Sequence, residues 1–496
     1  MPGLHTQNPR KLAGYDFYRQ ILHSPKYVVA PMVDQSELAW RILSRRYGGQ
    51  LVYTPMINAK MFAEGNRKPF REQNFNISKG EEGGPEDRPL IVQFCANDPE
   101  QLLTSAKIVE PYCDAVDINL GCPQDIARRG HYGSFLQDEW DLIYSLINTL
   151  HLNLSVPVTA KFRVFPTVEK TVEYAKMLER AGAQILTCHG RTRDQRGQRS
   201  GIADWEKIRA VKEAVSVPVF ANGNILVHSD IQRCLDATGA DAVMSAEGNL
   251  YNPAIFLAHP PVASSSSSPL AAVSTPEPCA LPSTDPEAQE VASAEELPRN
   301  WYITAETGYH PPHTTLALEY LAIVRSLATP TAPSAIKGHL FKLLRPALSR
   351  ETDIRNSLGK VTFPKGKEKE GLQKYEALVR EMDIRMKRDA READGKSVEE
   401  LVVLNPTTGL YSFPHWVVQP YVRPLPVEEQ TNKNIRSSVA DLKGSSPATL
   451  PAERDLPAEV DELLVSEEAA AATKRLAERV ASADEETAKR VKLSED

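Results

Sequence analysis

No apolar run in this chain approaches the ~20 residues that a membrane span requires, and Met1 to Lys11 lack the apolar stretch of a secretory signal. The expectation is a soluble protein that works inside the cell. Cysteine is sparse and unpatterned. The six (Cys95, Cys113, Cys122, Cys188, Cys234 and Cys279) include no CxxC pair and no regular spacing, so neither a disulfide framework nor a metal site is expected. Evenly spread acid is also missing. The formal net charge is −7 over 496 residues, but Pro261 to Asn300 carries about −5 and Pro451 to Asp496 about −6, which leaves the rest near +4. Ser334 to Lys396 alone holds about +6, so it is either a surface that meets phosphates or a solvated helical face.

What the chain does have is a repeated alternation. Eight short β-branched or aliphatic runs lie between residues 27 and 245: Tyr27 to Ala30, Leu51 to Thr54, Leu90 to Phe94, Ala115 to Asn119, Val158 to Phe162, Gln184 to Cys188, Pro218 to Ala221 and Asp241 to Met244. Most are separated by helical spacing. Val172, Ala175, Met177 and Leu178 recur at helical intervals, and Gly182 closes that helix. Eight strands alternating with helices indicate an α/β chain folded as a (β/α)8 TIM barrel rather than an open sheet. The organisation that follows is a lead-in (1–24), the barrel (25–257), a Ser/Pro/acid-rich disordered insertion (258–300), a helical domain (301–396), a Pro- and aromatic-rich extension (397–430) and a largely disordered tail (431–496). Ala458 to Ala481 in that tail has partial helical character.

In such a barrel the active site forms at the C-terminal strand ends, and here those ends carry Ala30-Pro31-Met32, Thr54-Pro55-Met56, Gln93-Phe94, Asn119-Leu120-Gly121-Cys122-Pro123, Lys161-Phe162-Arg163, Cys188-His189-Gly190-Arg191, Ala221-Asn222-Gly223-Asn224 and Ser245-Ala246-Glu247-Gly248. Turn chemistry favours Gly, Asn and Pro anyway, but it does not account for Gln93, Lys161 and His189. The loops after strands seven and eight are where barrels hold phosphates on backbone N–H groups. Asn222, Gly223 and Asn224, with Ala246 and the backbone of Glu247, suit that role. Lys161 can sit by the electron-rich edge of a flavin, and Gln93 offers a donor and an acceptor to its pyrimidine edge, a combination that suits FMN. His189 is either a further contact to that cofactor or a hydrogen-bonded structural residue.

These segments resemble the tRNA-dihydrouridine synthases, an FMN barrel family with NADPH as the usual reductant. The likeness runs in family order over roughly residues 25 to 257, from Ala30-Pro31-Met32-Val33 through Asn119 to Pro123, Lys161-Phe162-Arg163, His189-Gly190-Arg191-Thr192-Arg193 and Asn222-Gly223-Asn224. Ala30 to Arg41 and Gly201-Ile202-Ala203-Asp204-Trp205 resemble in particular the eukaryotic branch that acts at positions 16 and 17 of the tRNA D-loop. The resemblance implies reduction of the uracil C5=C6 bond, with hydride from reduced FMN to C6 and a proton from Cys122 to C5, NADPH or NADH restoring the flavin. It places Pro31, Met32, Val33, Gln93, Lys161, His189, Asn222 to Asn224, Ala246 and Glu247 around the cofactor. A thiol of pKa ~8.5 is mostly protonated at neutral pH and can donate. Asn119, Arg163 and Arg191 are expected to meet the uracil, and Arg128, Arg129, Lys337, Lys342 and Arg345 the tRNA surface. The remaining cysteines are read as structural or incidental. The competing readings are an FMN barrel oxidoreductase for a free pyrimidine and a tRNA-binding protein without catalysis. A monomer is expected, in the cytoplasm, with nuclear entry through the basic run Ala488 to Leu493 as a second expectation.

Overall fold

The computed structural model describes residues 11–421 apart from 66–67, 198–199, 262–296, 365 and 406–409. Most of the expected disordered insertion, the Ala458 to Ala481 helix and the basic run at Ala488 lie outside the described residues. Eight strands, β1 (Tyr27–Val29), β2 (Leu51–Tyr53), β3 (Leu90–Cys95), β4 (Ala115–Leu120), β5 (Val158–Arg163), β6 (Leu186–His189), β7 (Val219–Asn222) and β8 (Ala242–Ser245), pair in chain order, all parallel. The ring closes where Tyr27 of β1 lies opposite Val243 of β8. These are the eight runs of the sequence, displaced by two residues at most.

Period-two alternation sorts each strand into two environments. On β4, Val116, Ile118 and Leu120 face the helices and join the large core that includes Val158, Ala160, Leu186 and Val219. The alternate residues face inward. At the base of the barrel these are apolar, with Val28, Leu51, Ile91, Ala115, Phe220 and Ala242 packed on Phe17 and Tyr18 of the Gly14–Gln20 helix. Higher up they turn polar, so a packed floor supports a hydrophilic mouth.

The surrounding helices carry local start and stop signals. In Val168–Ala181, Thr167 accepts a hydrogen bond from the Lys170 N–H at the N-terminus, and Thr171, Tyr174, Ala175, Leu178 and Ala181 are buried at helical spacing. Gly182 ends it at φ +116°, where a Cβ would lie 2.4 Å from the His151 ring, so only glycine fits.

A second core lies under the helices His313–Ser326, Pro333–Leu343 and Glu368–Glu392 and takes in Trp40 and Leu43 from the barrel helix Leu38–Arg46. Glu37, at the head of that barrel helix, accepts from Tyr320 Oη (2.7 Å) and His339 Nε2 (3.0 Å), and the His339 ring stacks on Trp40 with centroids 3.9 Å apart. Phe413, Trp416, Val417 and Val418 also belong to this core, and Trp416 Nε1 donates to the Asn300 carbonyl (3.0 Å). The Pro- and aromatic-rich stretch therefore packs against the helical layer.

Candidate active site

Cys122 sits on the turn leaving β4, half-buried, and its backbone is held on both sides. Its N–H donates to Asn119 Oδ1 (2.8 Å), and its carbonyl accepts from Ser134 N (3.1 Å) and Ser134 Oγ (3.0 Å). Asn119 Oδ1 also accepts from Gly121 N (3.1 Å), while its Nδ2 donates to Gln93 Oε1 (2.9 Å). Asn119 thus fixes the cysteine turn and keeps one N–H for a ligand. Gln93 is fully buried and donates to Asp117 Oδ2 (2.8 Å), so it too is partly engaged by the protein.

Lys161, at the end of β5, donates to Asn222 Oδ1 (2.8 Å), and Asn222 Nδ2 donates to the Met244 carbonyl (2.9 Å). Burial, with the Arg163 charge second, lowers the Lys161 pKa to about 8. Arg163 gives Nε to the Gly121 carbonyl and Nη1 to the carbonyls of Thr192 and Gln195, which leaves Nη2 uncommitted among the described residues. Arg163 Nε reaches the carbonyl of the residue before Cys122 and Lys161 lies opposite Asn119 on the paired strand, so cysteine, lysine and arginine share one mouth. His189 accepts at Nδ1 from the Arg191 N–H (3.2 Å). Burial, then the charges of Lys161, Arg163 and Arg191, hold its pKa well below the usual value. The imidazole is therefore neutral, with its proton on Nε2, a donor without a protein acceptor among the described residues.

The Arg191 guanidinium bridges the Ser200 and Gly201 carbonyls to Asn224 Oδ1. It ties the loop after β6 to the loop after β7. Asn224 has φ +62°. The N–H groups of Gly223, Asn224, Ala246 and Gly248 donate to no protein acceptor among the described residues, and Glu247 opens the short helix Glu247–Tyr251. Gly248 lets these two loops touch: a Cβ there would stand 2.2 Å from the Ile225 carbonyl and 2.8 Å from Ile255 Cδ1. Gly248→Ala is accordingly expected to destabilise the protein by about 1–3 kcal/mol and to weaken anion binding at these loops. A urea midpoint equal to that of the wild type would count against this.

Pro31 and Met32 are half-buried and Val33 is exposed on the loop after β1, where Met32 N donates to Ser36 Oγ (2.8 Å). Three of the residues expected at a tRNA surface lie on the helices Pro333–Leu343 and Arg345–Leu348. Lys337 donates to the Gly359 carbonyl, Lys342 to Gln35 Oε1 of the β1 loop, and Arg345 lies over the Tyr421 ring at 3.9 Å. Arg128 and Arg129 are exposed in the helix Asp125–Gly130, which falls outside the compact unit that holds the barrel. Cys95, Cys113, Cys188 and Cys234 are buried, and burial raises the pKa of each. Asp117 was missed by sequence reasoning. The available signal was a carboxylate in the middle of an apolar strand, two residues before Asn119 and so on the same face.

The family model described as dihydrouridine synthase matches residues 28–280. A protein of Schizosaccharomyces pombe named tRNA-dihydrouridine(16/17) synthase (NAD(P)(+)) is 44% identical over 437 residues, covering 87% of this chain and 96% of that protein. The like-named protein of Saccharomyces cerevisiae is 44% identical over 439 residues, covering 86% and 90%. A Homo sapiens protein named tRNA-dihydrouridine(20a/20b) synthase-like is 37% identical over 242 residues, covering 48% of this chain and 73% of that protein.

Proposed function

The chain belongs to the dihydrouridine synthase family, and from that premise we propose that its barrel mouth reduces the C5=C6 bond of uridines at positions 16 and 17 in the tRNA D-loop, with FMN as the flavin and NADPH or NADH as reductant. The observation that carries this reading is the joint placement of Cys122, Lys161, Arg163 and His189 at one mouth, with Lys161 opposite Asn119, Arg163 opposite His189, and Arg163 Nε on the Gly121 carbonyl. The residues also fit a phosphate-bearing flavin. The unengaged N–H groups of Gly223, Asn224, Ala246 and Gly248 form a phosphate cradle, the neutral His189 offers a donor, and Lys161 brings a cation.

When bound, reduced flavin supplies the hydride for C6 of the uracil. The rest of the chemistry belongs to this chain. Arg163 Nη2 and the remaining Asn119 N–H hold the uracil oxygens, which sets the face presented to the cysteine. Cys122, kept on a rigid turn, gives its thiol proton to C5. Because a uridine inside folded tRNA must leave its stack to reach the mouth, basic side chains around the rim hold the backbone meanwhile, and affinity falls as salt rises. The protein acts as a monomer in the cytoplasm, with a nuclear fraction directed by Ala488 to Leu493.

The test is direct. Purified protein should be yellow and should form dihydrouridine on unmodified tRNA with NADPH, at positions 16 and 17 when mapped. A colourless protein that binds no FMN sinks the reading, and turnover of free uracil would favour a small-molecule oxidoreductase instead. Lys161 adds a pH dependence. Its folded pKa lies below the ordinary lysine value, so its charge is present below about pH 8 and is lost as pH rises through 8. FMN affinity is expected to weaken across that point, and in Lys161→Met to be weaker and flat with pH, as fluorescence titration would show.

A further inference from the structure

A chain of side-chain amides links the barrel interior to the cysteine turn. Asp117 accepts from Gln93 Nε2 (2.8 Å), Gln93 Oε1 accepts from Asn119 Nδ2 (2.9 Å), and Asn119 Oδ1 accepts from the N–H groups of Gly121 and Cys122. An amide can present either end, so its orientation follows from its neighbours. Here both ends of the chain have fixed polarity: the backbone N–H groups only donate, and an ionised carboxylate only accepts. We infer that Asp117 is a positioning residue for Cys122, its ionised carboxylate anchoring the far end of the Gln93–Asn119 relay that pins the cysteine turn. The inference rests on the role of Cys122 under the proposed function.

The surroundings of Asp117 suit this task. It is fully buried, and its second oxygen accepts from Thr159 Oγ1 (2.6 Å) on β5. The titratable groups facing it are Lys161 on β5 and the Tyr53 phenol on β2, and Gln93 comes from β3. Burial raises its pKa to about 6, with Thr159, Gln93 and then Lys161 holding it down. Below that pH the carboxyl gains a proton and becomes able to donate. Gln93 Nε2 then leans on a neutral, weaker acceptor, so the relay is held less firmly although its direction is still set by the backbone N–H groups at its other end. The consequence is an acid limb: the rate of proton delivery falls as pH drops through the Asp117 pKa.

Asp117→Asn keeps the shape and removes the charge that anchors Gln93. Its single-turnover rate of dihydrouridine formation should fall about 10–100-fold, as for loss of a partner one shell removed, with FMN content and tRNA affinity unchanged. Thr159→Val, a milder change, removes one donor to the carboxylate and should move the acid limb to higher pH. A readout independent of the reaction is iodoacetamide alkylation of Cys122 followed by peptide mass spectrometry, which should quicken about threefold or more in Asp117→Asn as the turn loosens. If that change appears while wild-type protein makes no dihydrouridine, the relay stands and the proposed reaction fails. Wild-type turnover and alkylation in Asp117→Asn, an unmoved acid limb in Thr159→Val, or loss of FMN in step with the rate would each overturn the inference.

Discussion

Cys122→Ala should leave a yellow protein that binds tRNA and forms dihydrouridine some 10²–10⁴ times more slowly, roughly the contribution of a positioned general acid. The defect is expected to be chemical because the turn does not depend on the thiol. Its backbone is held by Asn119 and Ser134, and those bonds survive truncation at Cβ. Serine is not a rescue, since a hydroxyl is a far weaker acid than a thiol, so Cys122→Ser should stay close to the alanine form. The measurement is a single-turnover rate with flavin content and tRNA affinity taken in parallel. A rate above half of wild type would remove Cys122 from the mechanism.

Arg41→Met should cost about 3–5 kcal/mol of stability, the usual consequence of breaking a buried ion pair from one side. Arg41 is fully buried and reaches four acceptors: Asp87 through Nε (2.8 Å) and Nη2 (2.7 Å), Glu82 through Nη2 (3.2 Å) and the Ser36 carbonyl through Nη1 (2.8 Å). Methionine fills much of the volume but leaves two buried carboxyls without their cation. Asp87 in turn accepts from Gly83 N, and Glu82 from Asn76 N, so the segment between Asn76 and Asp87 loses its anchor as well. Adding Glu82→Gln and Asp87→Asn should recover part of the loss, because neutral amides cost less to bury than unpaired carboxylates. Urea unfolding checks both forms. A loss under about 1 kcal/mol in the single variant would mean that the network contributes no more than a surface pair.

The barrel was legible because each strand is a short apolar run that ends in a polar cluster, and parallel strands buried on both sides read that way. Lys161, His189 and Gln93 stood out for the same reason: turns do not call for them. What stayed hidden depends on distant partners. The hairpin pairing Ile303–Ala305 with Gly308–His310 has no strong strand pattern, and its His310 meets Val418, 108 residues away. Asn119 illustrates a subtler limit. Its position at the mouth could be read, but two of its bonds run to the N–H groups of its own turn, and the third reaches Gln93 across the sheet. Arg191 likewise could be placed at a strand end, but its ties to Gly201 and Asn224 depend on how two loops fold over one another.

The helix beneath the barrel has a consequence for synthesis. Tyr15 Oη donates to Asp241 Oδ1 (3.0 Å) and Tyr18 Oη to the Asp241 carbonyl (3.1 Å), partners 226 and 223 residues later in the chain. At the ribosome's pace of about 5–20 residues per second, Tyr15 waits roughly 10–50 s for Asp241 to be made. Throughout that interval Phe17 and Tyr18 have no barrel floor to enter, because β8 and its pairing with β1 do not yet exist. The nascent chain thus carries an apolar segment whose floor is complete only once the last strand has been made.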